Sequence, residues 1–397
     1  MALYIGIMAA ILIAGMLRVR FVYKRVAPVS GSGTVAQTIE TEKSHETRKL
    51  FTFIFLGVFW CLCALKGHKI GSDTDAYIAI FDEAVIWAET GSQGFLGGLF
   101  TNTTRYETGY IVLNRIIALL TDEVQWLFVV VAAFSMVVLY KLIVEDSRDP
   151  VLSVFLFISL RFQYFMMSGL RQGMAIFLCV IAFRFIKKRK LIPFVLLVLL
   201  ASQFHMTAIL FLMAYPLSYL RFKSTNVAIV TAAGVIVFLL FNQILTPILG
   251  ILPEYYSGYT QSVRFAENKL GNILVAVIQT IFLIVSLFST YRMRNREGRK
   301  QVFTKEYNEP DFMHFMILMS ILLSLISLRA TTLDRLYYYF WIFAVVYIPN
   351  VLREVRRIGD RVLLWLGTVI FTFLYNITLL YFRPEWTEIT PFKFFWQ

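Results

Sequence analysis

Apolar residues fall in long continuous runs, at about 2–17, 50–66, 124–144, 151–168, 169–186, 191–219, 226–246, 271–290, 311–328, 336–352 and 362–382. Most approach the roughly 20 residues needed to cross the hydrocarbon core of a bilayer. Backbone N–H and C=O groups find no water there, so each run is expected to be a helix. A β-barrel would alternate apolar and polar positions over about ten residues, and these runs do not alternate. The expected fold is all-α: one polytopic membrane domain over 1–397, with about 10–12 transmembrane helices. From Gly109 to Leu120 the apolar positions Ile111, Ile116, Leu119 and Leu120 recur at helical spacing. That stretch is too short to span, so an outer amphipathic helix is predicted near 109–121.

The polar segments then fix sidedness. Basic residues crowd four of them: Arg18 to Lys49, Lys187 to Lys190, Arg292 to Lys300 and Arg353 to Arg361. Loops rich in Lys and Arg stay in the cytoplasm. Holding all four inside places both termini outside, and requires 191–219 to enter and leave on one side as a broken or re-entrant segment, with Ser202, Gln203 and His205 near its turn. The alternative, one long tilted helix, would move Arg221 and Lys223 outside. Residues 18–49 read as a cytoplasmic linker, 67–123 as the first external segment and 247–270 as the second. Glu145 to Asp149 carries more acid than base and fits the inside rule poorly.

Composition agrees with the pattern. The chain is 58% hydrophobic and 16% charged, against about 45–50% and 25% in soluble domains. The net charge of +13 sits in short inter-helix loops, which argues against nucleic acid as a partner. Cys61, Cys63 and Cys179 lie inside apolar runs, with neither a disulfide framework nor metal-ligand spacing. No P-loop, zinc-protease helix or dinucleotide fingerprint is present. The run Ala2–Leu17 lacks the basic start and small-residue cleavage site of a signal peptide and reads as a first anchor.

The chemistry-bearing residues concentrate in the external segments. Asp73, Asp75 and Glu107 are carboxylates near the outer surface, any of which can serve as a base toward an incoming hydroxyl. Ser72 and Asp73 also suit the cap of a helix starting near Thr74. After a turn at Gly169, Arg171 falls in the first turn of a helix. Arg264, Arg329 and Arg335 are expected on the same outer side, and a set of guanidinium groups there calls for an anion, for which a lipid-linked diphosphate is the natural candidate. Arg161 lies deeper and needs a carboxylate, a cavity or a ligand. His205 suits a base lining a cavity or a hydrogen-bonded core residue. Tyr255 and Tyr256 fit an aromatic belt or a sugar-stacking platform.

These markers resemble the EpsG family of exopolysaccharide and O-antigen polymerases, the Wzy-type enzymes. The resemblance rests on Ser72-Asp73-x-Asp75-x-Tyr77, Tyr106-Glu107-x-Gly109-Tyr110 with Leu113-Asn114, Leu170-Arg171-Gln172-Gly173, Phe204-His205-x-Thr207-Ala208, and Arg329 with Asp334-Arg335. Thr108 stands where proline is expected. The resemblance implies a fold like that of lipid-linked, GT-C-like glycosyltransferases in the bacterial cytoplasmic membrane. It implies that undecaprenyl-diphosphate-linked oligosaccharides are joined at the outer face, without a metal or other cofactor and with a chain-length regulator as partner. Asp73, Glu107 and His205 are then the candidate catalytic residues, with Arg171, Arg264, Arg329 and Arg335 on the diphosphate and Asp75, Tyr77, Tyr110, Tyr255 and Tyr256 on sugar. Two other readings compete: a flippase for lipid-linked oligosaccharide, which would show repeats and paired broken helices, and a non-catalytic assembly scaffold.

Overall fold

A computed structural model of the chain describes residues 1–24, 33–90, 95–101, 104, 106–244, 269–296, 307–329, 333 and 335–397. The described residues are helical, with one isolated bridge between Lys66 and Phe394. Helices α1 (Ala2–Lys24), α2 (Gly33–Ala64), α3 (Thr74–Thr90), α4 (Phe95–Phe100), α5 (Thr108–Ala118) and α6 (Gln125–Asp146) come first. Then follow α7 (Pro150–Ser159), α8 (Phe162–Ser168), α9 (Leu170–Lys187), α10 (Leu191–Ser202), a 3-10 helix (Met206–Met213), α11 (Ala214–Leu217) and α12 (Ser224–Leu239). The last are α13 (Lys269–Arg296), α14 (Glu309–Ile326), α15 (Tyr338–Trp341), α16 (Ala344–Glu354) and α17 (Ile358–Phe382). Helix α2 reaches back to Gly33, into the stretch read as a linker. The second external segment lies almost wholly outside the described residues.

Among the described residues five helices are long and apolar enough to cross a membrane, or six if α7 and α8 form one bent span. Four shorter apolar helical stretches, including 191–202 and 206–217, accompany them. The chain is thus a polytopic helical membrane protein. Its contacts divide it into two compact units. One comprises Met1–Leu99, Val112–Met174 and Val345–Gln397, and the other Phe100–Ile111 and Ala175–Ala344.

In the first unit α1 lies close against α7: a Cβ on Gly15 would sit 2.5 Å from Val151 Cγ1. At one end of this unit the C-terminal segment is tied in by its backbone. Gly67 N donates to Lys393 O (2.8 Å), Phe395 N to Leu65 O (3.1 Å) and Gly71 N to Glu388 O (2.9 Å). Tyr4 Oη donates to Ile389 O (3.0 Å) and Ser168 Oγ to Thr387 O (3.0 Å). Gly71 has φ +96°, and any Cβ there would lie 2.4 Å from Met167 O, so only glycine fits. Lys66 is fully buried at this end and donates to Ile70 O (2.8 Å), Thr74 Oγ1 (2.5 Å) and Met167 O (2.7 Å). At the opposite end Arg48 donates to Ser147 O (2.8 Å), Arg353 meets Asp149 (3.3 Å) and Arg148 pairs with Glu354. The acidic segment 145–149 therefore belongs at the basic end: its charges are matched there.

The run 151–168, expected as one helix, is broken. Helices α7 and α8 meet at 51°, and Arg161 between them takes a left-handed conformation with φ +70°. Strained backbone of this kind costs about 1–3 kcal/mol, and no proline or glycine marks the position. Arg161 is 6% exposed and meets no carboxylate among the described residues. Its Nη2 reaches Thr387 Oγ1 at 3.4 Å and its guanidinium stands 5.4 Å from the Tyr164 ring.

In the second unit the 191–219 segment is a hairpin, the broken form expected from the sequence. Helix α10 packs against the returning 3-10 helix. The base is closed by Arg189, which donates to Ser218 Oγ (2.5 Å) and Ser218 O (3.1 Å) and covers the Tyr219 ring at 4.0 Å. Arg221 pairs with the buried Asp311 at 3.6 Å. A single tilted helix would hold Arg189 and Ser218 far apart, so that alternative is excluded. Further along, α13 and α14 pack closely, linked by Ser324 Oγ to Gln279 Oε1 at 3.0 Å. Helix α12 joins α14 where Gly234 faces Leu322.

Two predictions follow from these contacts. Arg189→Ala opens the hairpin base and leaves the Ser218 groups without their cation, so thermal unfolding in detergent should show a loss of about 1–3 kcal/mol. Lys66 lies beyond the end of the spanning part of α2, and burial pushes its ammonium down from 10.5 to about 7, against the opposing pull of Cys63, Asp73 and Asp75. Above pH 7 the folded chain releases a proton that the unfolded chain keeps, so this contribution to stability rises with pH up to about 10.5. Lys66→Met should remove that rise from the melting-temperature profile.

Candidate active site

The hairpin tip gathers two of the candidate catalytic residues. Helix α10 ends at Ser202, and Phe204 N and His205 N both donate to Ala201 O, at 3.0 and 3.1 Å. His205 is extended and precedes the 3-10 helix. The segment before α5 comes up against this turn. Tyr110 N donates to Gln203 O at 3.1 Å, and Gly109 lies so close that a Cβ would stand 2.8 Å from Gln203 O. The Gly-Tyr pair is thus needed for approach: glycine removes the steric block and the next N–H satisfies a turn carbonyl.

This docking places Glu107 directly on the turn. Its Oε1 accepts from Met206 N at 3.1 Å, capping the 3-10 helix, and lies 3.2 Å from His205 Nδ1. The second approach is a close contact rather than an aligned hydrogen bond, since Nδ1 has no well-oriented acceptor. Glu107 is 10% exposed and His205 24%, so the pair is shielded yet reachable. Two residues on, Thr207 Oγ1 lies 3.0 Å from the hydroxyl of the buried Tyr339, which ties the 3-10 helix to α15. A carboxylate against an imidazole edge can orient the ring, stabilise its protonated form and pass a proton between the two groups.

The remaining candidates are distributed as follows. In the first unit α3 starts at Thr74, as the Ser72-Asp73 cap reading expects. Asp73 is half-buried, Asp75 exposed and Tyr77 buried. Both aspartates act electrostatically on Lys66. Arg171 is half-buried in the first turn of α9, just after the Gly169 turn. In the second unit Tyr110 is fully buried, Arg329 is exposed beyond the end of α14, and Arg335 is half-buried in the turn before α15. Arg264, Tyr255, Tyr256 and Asp334 lie outside the described residues. Among the described residues no three His, Cys, Asp or Glu side chains are grouped to hold a metal ion.

Lys66 was missed from the sequence because it ends an apolar run, where a cation ordinarily snorkels to water. Here it turns inward. The signal available was the glycine on either side of the following loop, Gly67 and Gly71, both of which let backbone approach closely.

No curated protein and no solved structure matches the chain. A family model does, over residues 49–394. That stretch takes in α3, the Glu107–His205 contact, the α7–α8 break, the hairpin and the tied-in C-terminal segment, and it covers most of the chain: this polytopic membrane protein belongs to the EpsG family.

Proposed function

We propose that the protein joins lipid-diphosphate-linked oligosaccharide repeat units into a bacterial surface polysaccharide at the outer face of the cytoplasmic membrane. Membership of the EpsG family supports an exopolysaccharide-related polymerase role. The observation that carries the reading is the Glu107 carboxylate 3.2 Å from His205 Nδ1, on a hairpin whose tip lies at the end opposite its basic base. Lys187 to Lys190 mark that base as cytoplasmic by the positive-inside rule, so the tip points into the membrane toward the outer side. The same rule applied to Arg18 to Lys49 and to Arg353 to Arg361 would put both termini outside.

In this scheme the acceptor sugar hydroxyl attacks the anomeric carbon of the growing chain. The new glycosidic C–O bond forms as the bond to the lipid diphosphate breaks, and the hydroxyl proton passes to the Glu107–His205 pair. A diphosphate is already a good leaving group, so what it needs is charge stabilisation, which Arg329 and Arg335, in the same unit as the pair, would supply. Holding both lipid-linked partners in place supplies the orientation. Asp73 acts electrostatically on Lys66. A second reading, a transporter of lipid-linked oligosaccharide, is favoured by one feature: among the described residues the apolar stretches 150–168 and 191–217 are both interrupted.

Purified protein given authentic lipid-diphosphate repeat units should produce a polymer ladder. Glu107→Gln keeps an oxygen for Met206 N but loses the charge, so the fold should persist while the rate falls about 10²–10⁴-fold; His205→Ala should fall similarly. Asp73→Ala should retain more activity than either. Full activity in Glu107→Gln would reduce Glu107 to a helix cap. Wild-type protein that makes no ladder but moves the substrate across a liposome would establish the transporter instead.

A further inference from the structure

The 3-10 helix that follows His205 is eight residues long, Met206–Met213. Runs of that geometry longer than about four residues are uncommon, because their i→i+3 hydrogen bonds are poorly aligned. Such an element relaxes toward the α form unless its neighbours hold it. Relaxation shortens the rise from about 2.0 to about 1.5 Å per residue.

The neighbours hold it in two different ways. Toward its far end Phe211 is fully buried, with its ring centroid 5.6 Å from that of Phe340 and 6.0 Å from that of Phe343, to which it is nearly parallel. That packing anchors the ring, but apolar attraction has no direction and sets no register. At the near end the contacts are directional. Glu107 Oε1 accepts from Met206 N at 3.1 Å, and the Thr207 and Tyr339 hydroxyls lie 3.0 Å apart, one donating to the other. Tyr339 is 0% exposed. A buried hydroxyl is costly without a partner, and phenylalanine serves for packing at the nearby Phe340 and Phe343. The hydroxyl of Tyr339 is therefore the part that calls for an explanation beyond packing.

Both ends of this bond lead to the proposed chemistry, and all the groups belong to the second unit. His205 stands two residues before Thr207. Arg335 stands one helical turn before Tyr339, in the turn that Tyr338 N closes on Arg335 O at 3.4 Å. The base and the diphosphate donor act on opposite sides of one anomeric carbon, so their separation has to be held. With Phe211 anchored, relaxation of the stretch from Thr207 to Phe211 would move Thr207 by about 2 Å, and His205 with it. A displacement of about 1 Å is enough to cost about 100-fold in rate.

We propose that Tyr339 is a positioning residue: its hydroxyl, through Thr207, fixes where the His205 ring stands relative to Arg335. The assignment rests on the polymerase reading above and adds to it the contact that sets the spacing between its two working ends.

The test compares Tyr339→Phe, Thr207→Val, the double variant and Thr207→Ser in the polymer-ladder assay, with thermal unfolding of each in the same detergent. Tyr339→Phe keeps the ring, so the fold should persist. Its kcat should fall about 10–100-fold, while KM for the lipid-linked repeat unit should stay within about threefold, because the arginines are untouched. Thr207→Val should fall similarly, and the double variant no further than either single, as two groups acting through one bond require. Thr207→Ser restores a hydroxyl and should retain most of the activity. The pH profile of Tyr339→Phe should keep the wild-type limbs, since Glu107 and His205 are unchanged. A wild-type kcat in Tyr339→Phe, losses that add in the double variant, or a shifted pH limb would overturn the proposal. A lower melting temperature with kcat per folded protein unchanged would reduce the bond to a stability contact and overturn it too. Wild-type protein that makes no ladder removes the polymerase reading and this one with it; an active wild type beside an equally active Tyr339→Phe removes the positioning alone.

Discussion

Within hydrocarbon a backbone amide that leaves its helix must find another partner at once, and each break in this chain is built around that requirement. The turn at 203–205 survives because Tyr110 N takes the carbonyl of Gln203 and Glu107 takes the amide of Met206. At the gap between α7 and α8 the amides of Leu160 and Arg161 are taken by Leu156 O and Ile158 O, while Thr387 takes a serine hydroxyl and one guanidinium nitrogen. Neither break is a flaw in an otherwise regular helix. Each has a dedicated partner from a remote part of the sequence.

The proposed chemistry inherits this arrangement. Glu107 is where it is because a helix end needs an acceptor, and the same oxygen then stands beside an imidazole. One carboxylate therefore carries two duties, capping and charge. The hairpin adds rigidity in the other direction, since Arg189 clamps its base to Ser218 and Tyr219. A ring held on such a turn has little freedom to swing away, which suits a group that must meet a hydroxyl in one orientation.

Much of this was readable from residue order alone. Hydrophobic run length and the placement of Lys and Arg were enough to require that 191–219 return to its own side, and Gly109-Tyr110 and His205 were each visible as markers. Which marker meets which was not, because Glu107 and His205 are distant in sequence and each has an ordinary alternative as cap or core residue. The interruption at Arg161 was hidden for a different reason. Residues 151–168 are mostly apolar and contain no proline or glycine near the break, so local pattern favours one helix while tertiary contact splits it. Lys66 was invisible because an end-of-helix lysine normally points to water. The count of full-length spans also depends on such breaks, which divide long apolar runs into shorter helices.

The closure of the first unit by its last residues has a consequence for biosynthesis. Leu65, Gly67, Gly71 and Tyr4 all take their partners from 388–395, a stretch made long after them. Until then the loop before α3 lacks the strand-like neighbour at Lys66 and Phe394. Assembly of that face thus waits for a remote stretch of the chain, and a product that ends before residue 388 would have its helices in place and that seam unsewn.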